Sequence, residues 1–142
     1  MTGSHARTVR HDALADVLAQ LSFTVIAELS RLASEHDLSL TQLRVLAILR
    51  GRRLRIGELA AHLGLEKSTM SGLVDRAERR GLLQRTAHAS DGRVVEIGLS
   101  STGKALVERG HAAFRSSMTP MLEPLSAAER RTLQSLLARM LS

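Results

Sequence analysis

Cysteine, tryptophan and tyrosine are absent from this chain of 142 residues. Without cysteine the chain can form no disulfide framework, no cysteine-ligated zinc site, no iron–sulfur cluster, and no thiol nucleophile or thiol redox sensor. The six histidines include no H-x-x-x-H pair, so a metal site has no support from spacing. No nucleophile elbow or dinucleotide fingerprint occurs either. These absences argue against an enzyme, and we expect neither a metal nor a cofactor.

Long hydrophobic runs are also missing. The longest uninterrupted apolar run is VLAIL at residues 45–49, whereas a helix needs about 20 apolar residues to cross a bilayer. The N-terminal residues, MTGSHARTVRHD, contain basic side chains with no apolar stretch behind them, unlike a secretory signal. We therefore expect no membrane contact and a cytoplasmic location.

One apparent phosphate-binding loop occurs at residues 98–104, which read GLSSTGK and match the pattern G-x-x-x-x-G-K. The next residue is Ala105, where such a loop needs Ser or Thr to bind Mg²⁺. The parallel strands that an ATPase of this kind requires are not predicted anywhere in the sequence. Nucleotide binding is therefore not expected.

The composition is that of one folded domain with an uneven charge distribution. Hydrophobic residues make up 44% of the chain and charged residues 24%, and 20 basic residues outnumber 14 acidic ones. Ten of the basic residues but only five of the acidic residues lie between positions 50 and 93, so this segment carries nearly all of the net charge of +6. Such clustering is typical of a surface that binds a polyanion, although a merely solvated arginine-rich surface is the simpler alternative.

Four helices are predicted in the first 80 residues, from apolar side chains at steps of three and four. We place them at residues 12–35, 39–50, 56–63 and 66–80. Ser39 and Gln42 have the spacing of a capping box, which predicts the start of the second helix. Gly51 and Gly81 supply left-handed ends to the second and fourth helices, and Gly64 permits a tight turn between the third and fourth.

The spacing of apolar residues no longer follows the helical period after the fourth helix. Two short β-prone runs, at residues 83–88 and 94–99, flank a turn that contains Asp91 and Gly92. Because Asp-Gly is a strong hairpin signal, we expect a two-stranded β-ribbon here.

Two further helices are predicted at the C-terminal end. Ser100 opens a fifth helix, which we expect Pro120 and Pro124 to break. Ser126 and Glu129 form a second capping-box spacing that starts a sixth helix. The predicted fold class is therefore mainly α with a small β-ribbon (α+β), in a single domain that covers residues 1–142.

The fourth helix has one apolar and one small, polar face. Met70, Leu73, Val74 and Ala77 fall on the apolar face, and Ala60 in the preceding helix is small enough for close packing. The opposite face carries Ser68, Thr69, Ser71, Gly72, Asp75, Arg76 and Arg79. A helix enters the major groove of DNA only if its leading residues are slim and can form hydrogen bonds, which this face satisfies. An ordinary solvated face, with Ser68 acting as a cap, is the alternative.

Three stretches of the sequence resemble the MarR (multiple antibiotic resistance regulator) family of bacterial winged helix-turn-helix transcription factors. They are LSLTQLRVLAIL, IGELAAHLGLEKSTMSGLVDRAERRGLL and DGRVVEIGLSSTG, which span most of residues 38–103. The family's wing motif, Asp-Arg-Arg followed by Leu-Thr-x-x-Gly, is matched by Asp91, Arg93, Leu99 and Gly103. Gly92 and Ser100 depart from it. Gly92 removes one possible phosphate contact, while Ser100 can still cap the helix.

The resemblance implies a winged helix-turn-helix core at about 39–99, with dimerisation helices at about 12–35 and 100–142. The polar face of the fourth helix predicts the residues that enter the major groove, namely Lys67, Ser68, Thr69, Ser71, Gly72, Arg76 and Arg79. The resemblance implies that Arg93 enters the minor groove. Asp91 is expected to orient the wing by pairing with a nearby arginine, which we take to be Arg85. Arginine in the minor groove reads groove width and A·T content rather than a full base code.

The implied function is that of a sequence-specific double-stranded DNA-binding regulator, a dimeric repressor on an inverted-repeat operator that a small-molecule effector releases. Long helices with one apolar face lie on both sides of the winged-helix core of about 60 residues. These uncovered apolar faces independently favour a homodimer over a monomeric bundle. With Phe23 and Phe114 as the only aromatics among Phe, Trp and Tyr, an aliphatic effector pocket, or no effector, remains open. The competing function is a winged-helix protein-interaction module, which would not need Arg93.

Overall fold

The computed structural model describes residues 3–142 of the chain, and their side chains from residue 13 onward. The N-terminal residues 1–12, in which no signal sequence is predicted, therefore lie outside the part whose side chains are described. The elements are α1 (Gly3–Glu35), α2 (Leu40–Ile48), α3 (Ile56–Leu63), α4 (Lys67–Arg79), β1 (Leu83–Ala87), β2 (Val95–Leu99), α5 (Ser101–Leu122) and α6 (Ala127–Leu141). The predicted mainly helical fold with a β-ribbon is confirmed, and α1 begins nine residues earlier than expected.

The predicted start and stop signals act as expected. The side chain of Ser39 accepts a hydrogen bond from the backbone N–H of Gln42, and the Gln42 side chain accepts one from the Ser39 N–H at 2.8 Å. Ser126 and Glu129 form the same reciprocal pair at the start of α6. Gly51 has a φ of 74°, a left-handed conformation that most side chains disfavour.

The core of the domain lies where α2, α3, α4 and the ribbon meet. The largest fully buried side chains are Leu46, Leu49, Leu59, Met70, Ile97 and Val74. Ala60 is buried at the contact between α3 and α4, and Gly64 ends α3 with a φ of 65°. Ala60, Gly64 and Met70 therefore have the steric roles that their spacing in the predicted helix-turn-helix indicates.

The ribbon has one more connection to the core than the sequence indicates. β1 and β2 are antiparallel, with Leu83 opposite Leu99 and Arg85 opposite Ile97. On its other side, Ile97 exchanges two backbone hydrogen bonds with Leu54, at 2.7 and 3.0 Å. This bridge ties the base of the ribbon to the segment between α2 and α3.

The prediction that Pro120 breaks the fifth helix is wrong, because α5 continues through it to Leu122. A proline lacks the N–H that would bond to the carbonyl four residues earlier, so Pro120 removes one hydrogen bond from the last turn. The next bonds are kept, since the N–H of Glu123 donates to the carbonyl of Thr119 at 2.9 Å. The helix ends only just before Pro124.

The start of α5 is fixed against the end of α4. The hydroxyl of Ser100 accepts a hydrogen bond from the N–H of Gly103 at 3.0 Å and donates one to the carbonyl of Gly81. A Cβ atom on Gly103 would lie 2.0 Å from the carbonyl oxygen of Leu82. Gly103 is therefore required for the close approach of α5 to the backbone of Leu82, which accounts for the second glycine of the phosphate-loop-like pattern.

One helical segment, Ala13–Glu35, is long and apolar enough to cross a membrane by length and composition alone, with a mean hydropathy of 1.4. The core helix of a soluble protein and a signal sequence near the N-terminus both meet the same criterion, and none of the apolar 18-residue window of this helix is buried. In this segment the guanidinium of Arg31 pairs with the carboxylates of Glu28 and Glu35. Leu32 and Ala33 are buried against the rest of the domain.

Candidate nucleic-acid interface and the adjoining cavity

The start of α4 presents a slim polar surface to solvent. Met70, Val74 and Ala77 are buried and hold the helix against the core, while Ser68 and Thr69 are exposed. Among the described residues the hydroxyls of Ser68, Thr69 and Ser71 form no intramolecular hydrogen bond. The N-cap of α4 is Glu66, so Ser68 lies in the first turn and does not cap it. These hydroxyls are therefore available to an external partner.

The three arginines at the end of α4 have different environments. Arg80 donates hydrogen bonds to the carbonyls of His36 and Asp37, both at 2.8 Å, and so fixes the turn between α1 and α2. Arg76 and Arg79 are exposed and, within the described residues, form no ion pair. A shallow groove between α4 and the start of α2 is lined by Asp37, Gln42, Arg76, Arg79 and Arg80. Arg76 and Arg79 therefore remain available to a polyanion.

The β-ribbon formed by β1, β2 and the turn between them is the wing of the predicted fold. Arg93 lies at its tip, with 94% of its side chain exposed. Asp91 accepts a hydrogen bond from the backbone N–H of Arg93 at 3.1 Å, and its Oδ1 lies 3.4 Å from the Arg93 Nε. The carbonyl of Asp91 also accepts a hydrogen bond from the N–H of Val94 at 3.0 Å. Asp91 thus organises the turn that carries Arg93.

The expected pairing of Asp91 with Arg85 is wrong. Arg85 donates to Asp75 at 2.7 Å and to Glu78 at 3.0 Å, and both carboxylates belong to α4. The reason lies in the strand register, because Arg85 is opposite the buried Ile97 and so shares the face of the ribbon that packs on the core. From there it reaches α4 and not the tip. Arg85 therefore ties the wing to α4.

A groove between the wing and the starts of α3 and α4 brings the predicted DNA-binding residues Lys67 and Arg93 together with Arg55, which the motifs did not single out. Its lining includes Arg55, Glu58, Lys67 and Arg93. The side chain of Lys67 passes over Gly57, where a Cβ would lie 2.9 Å from the Lys67 Cε. Arg55 was counted in the sequence only as part of the basic segment. Its place beside the first turn of α3 adds the positive end of a helix to this groove.

Two of the predicted interface residues, Lys67 and Arg93, line the same groove, whereas Arg76 and Arg79 line the separate groove beside α2. The start of α4 contributes Lys67 and the hydroxyl groups, and the wing contributes Arg93 across the groove that Lys67 and Arg93 both line. Gly72 is half-buried beneath Arg76, whose Nη1 lies 3.4 Å from the position of a Cβ on Gly72. A glycine there gives the Arg76 side chain room to lie along the helix.

A cavity of about 300 Å³ lies on another part of the domain, between α1, α2 and α5. It is lined by Leu29, Leu32, His36, Leu43, Ala47, Arg50, Leu106, Val107, Gly110, His111 and Phe114. The Nδ1 atom of His111 is buried and has no hydrogen-bond partner. At the edge of the cavity, Arg50 donates to both carboxylate oxygens of Glu108, at 2.8 and 3.2 Å. This ion pair connects the turn after α2 to α5.

No cluster of three or more His, Asp or Glu side chains that could hold a metal ion occurs in the part of the chain that the structure describes. The hydrogen bond from Arg50 lowers the pKa of the Glu108 carboxyl, which is therefore ionised at neutral pH.

The helix-turn-helix packed on a β-ribbon, with exposed hydroxyls and arginines on one side, defines the class of winged helix-turn-helix transcriptional regulators. The chain belongs to the MarR family, whose family model matches residues 36–94. The resemblance found in the sequence is thereby confirmed. The family consists of transcriptional regulators, so the expectation that the chain is not an enzyme also holds.

Individual relatives agree with this assignment. The chain is 33% identical to a probable transcriptional regulator from Pseudomonas aeruginosa, whose crystal structure matches with a TM-score of 0.67 over 92% of this chain and 98% of that one. It is 32% identical over 100 residues to the HTH-type transcriptional regulator YfiV of Bacillus subtilis. The aligned region covers 67% of this chain and 60% of YfiV. A similar fold, with a TM-score of 0.65, occurs in a point mutant of MepR from S. aureus bound to an oligodeoxyribonucleotide. That match is 24% identical and covers 90% of this chain and 95% of MepR.

Proposed function

We propose that the chain acts in the cytoplasm as a homodimeric repressor that binds an inverted-repeat operator in double-stranded DNA and is released by a small-molecule effector. The observation that carries the proposal is the pairing of free hydroxyls on Ser68, Thr69 and Ser71 with the exposed Arg93 on one basic surface. The hydroxyls suit base edges and phosphates in the major groove, and the wing arginine suits the minor groove. The MepR complex with an oligodeoxyribonucleotide supports the same use of this fold.

The outer helices support a dimer because they leave apolar side chains uncovered. These are Leu14, Val17, Phe23 and Ile26 in α1, Met121 and Leu122 in α5, and Leu133, Leu136, Met140 and Leu141 in α6. No described residue of α6 is buried. A soluble monomer rarely exposes so many large apolar side chains on its outer helices, and a second copy of the chain would bury them.

Leu136→Asp should convert the dimer to a monomer. Leu136 is 50% exposed and lies on the apolar stripe of α6. A twofold interface would bury the new carboxylate twice, and each interface hot spot typically contributes about 2 kcal/mol or more, so the dissociation constant should rise at least ~100-fold. Sedimentation equilibrium measures it. Ser135→Asp, on the opposite side of α6, is the matched control and should leave the dimer intact. If both variants remain dimeric, α6 is not part of the interface.

A dimer of this kind determines the geometry of its DNA site. Two recognition helices related by a twofold axis read half-sites whose centres lie about 34–36 Å, or 10–10.5 base pairs, apart. Selection from a pool of random duplexes should therefore enrich an inverted repeat with that spacing, bound by two protomers. Enrichment of a direct repeat would contradict the twofold arrangement, and no enrichment at all would favour the protein-interaction module.

The cavity supports release by an effector because of its position. It contacts α1 and α5, which we assign to dimerisation, and α2, which belongs to the DNA-binding core. A ligand there could change the spacing of the two recognition helices only by binding one spacing more tightly than the other. The Arg50–Glu108 ion pair connects the DNA-binding core to α5, so it would move when the position of the core relative to α5 changes.

A further inference from the structure

The cavity between α1, α2 and α5 has a lining that restricts the chemistry of its ligand. Its volume of about 300 Å³ is at the lower end of the range for small-molecule sites, roughly 300–1,000 Å³. Most of the lining is aliphatic, and Phe114 is the single aromatic hydrocarbon ring among the lining residues. The shape and lining therefore favour a small, largely aliphatic molecule over a stacked aromatic one.

His111 supplies an unused hydrogen-bonding atom in this lining. Its Nδ1 is buried without a partner, and it is the one such side-chain atom found among the described residues. Buried polar atoms are almost always hydrogen-bonded, so an orphaned nitrogen in an apolar cavity indicates a missing partner. The imidazole Nδ1 is an acceptor in one neutral tautomer and a donor in the other. A hydroxyl group can pair with either, because it both donates and accepts.

The charges around the cavity do not favour an anion. Arg50 is the one lysine or arginine among the lining residues described. Its guanidinium is already held by both carboxylate oxygens of Glu108. A carboxylate ligand would have to displace Glu108 or enter an apolar space in which no lysine or arginine side chain is free to pair with it, and burial of an unpaired charge is strongly unfavourable.

We propose that this cavity binds a neutral aliphatic alcohol whose hydroxyl group forms a hydrogen bond with Nδ1 of His111. The inference rests on the proposed function in that the bound alcohol is the effector of the regulator. It assigns a ligand class to the cavity and a recognition role to His111. The aliphatic part of the ligand contacts the leucine and valine side chains of α1, α2 and α5.

The test is a calorimetric titration of the full chain with 1-octanol and, separately, with octanoate, which has the same chain length and a negative charge. Octanol should bind the wild type, and octanoate should bind at least ~10-fold more weakly. The ring ¹⁵N resonance of His111 Nδ1 should shift when octanol is added. Octanoate that binds as tightly as octanol, or no binding of octanol, would overturn the proposal.

Two variants separate the cavity from other apolar surfaces. His111→Leu places an apolar side chain in the cavity wall and removes the hydrogen bond, so octanol affinity should fall about 3- to 10-fold, the range expected for one neutral hydrogen bond. Gly110→Leu extends a side chain from the cavity-facing stripe of α5, where a Cβ meets no atom within 4 Å, and should abolish octanol binding. Thermal unfolding of each variant shows that it is folded. Octanol affinity unchanged in both variants would place the alcohol elsewhere and refute the assignment.

Wild-type DNA binding, measured in the same preparation without octanol, keeps the two proposals apart. If DNA binds and octanol does not, the ligand assignment fails and the DNA-binding function stands. If octanol binds as described and no duplex is bound, the proposed DNA-binding function fails and the cavity assignment stands.

Discussion

Arg93→Ala should weaken operator binding by about 30- to 1,000-fold per dimer. The substitution removes one groove contact from each protomer, and contacts of this kind contribute about 1–2 kcal/mol each, or roughly 2–4 kcal/mol for both copies. The salt dependence should also become shallower, by about one unit of slope for each lost contact. Fluorescence anisotropy with a labelled operator duplex at several salt concentrations measures both effects.

The position of Arg93 makes this result interpretable. Its side chain is 94% exposed, so its removal should change the stability of the fold by no more than about 0.5 kcal/mol. Arg109→Ala is the matched control, because Arg109 is an exposed arginine of α5 away from the α4 and wing surface. Arg76→Ala should weaken DNA binding in the same direction as Arg93→Ala. Unchanged affinity in both the Arg93 and Arg76 variants would show that the interface is assigned wrongly.

Gly103→Ala should destabilise the fold by about 2 kcal/mol, within the 1–3 kcal/mol typical of overpacked sites. The added Cβ would lie 2.0 Å from the carbonyl oxygen of Leu82. That carbonyl also accepts a hydrogen bond from the N–H of Ser100 at 3.0 Å, so it cannot move away without loss. The clash outweighs the gain that alanine usually brings to a helix interior, roughly 0.5–1 kcal/mol.

Gly110→Ala provides the control in the same helix. A Cβ at Gly110 meets no atom within 4 Å, so this substitution should stabilise the fold by about 0.5–1 kcal/mol through the lower backbone entropy of the unfolded chain. Denaturant unfolding at a single protein concentration compares the variants fairly, because the stability of a dimer depends on concentration. A Gly103→Ala variant as stable as Gly110→Ala would contradict the close contact between α5 and Leu82.

Local signals were sufficient to predict most of the fold. Helix periodicity and capping boxes act over three or four residues, so Ser39 and Ser126 identified helix starts without tertiary information. Pro120 was misjudged because the cost of a proline in the last turn is one hydrogen bond, which the rest of α5 tolerates. The bridge between Leu54 and Ile97 joins residues far apart in the chain and has no local signature.

The candidate site was predicted less completely, for the same physical reason. The polar face of α4 follows from helical periodicity, and the hydroxyls of Ser68 and Thr69 are exposed as that pattern indicates. The partner of Arg85 depends on which face of the ribbon packs on α4, which composition does not reveal. Arg55 joins the basic groove only through the tertiary position of α3. The cavity at His111 likewise requires three helices to meet.

The central claim is sequence-specific recognition of DNA by a dimer through α4 and the wing. Its most direct test is fluorescence anisotropy of the wild-type chain with a selected inverted-repeat duplex and with a scrambled duplex, between about 50 and 200 mM salt. We expect the selected duplex to bind at least ~10³-fold more tightly, with two protomers per site. Equal and steeply salt-dependent affinity for both duplexes, or no binding at low salt, would contradict the claim.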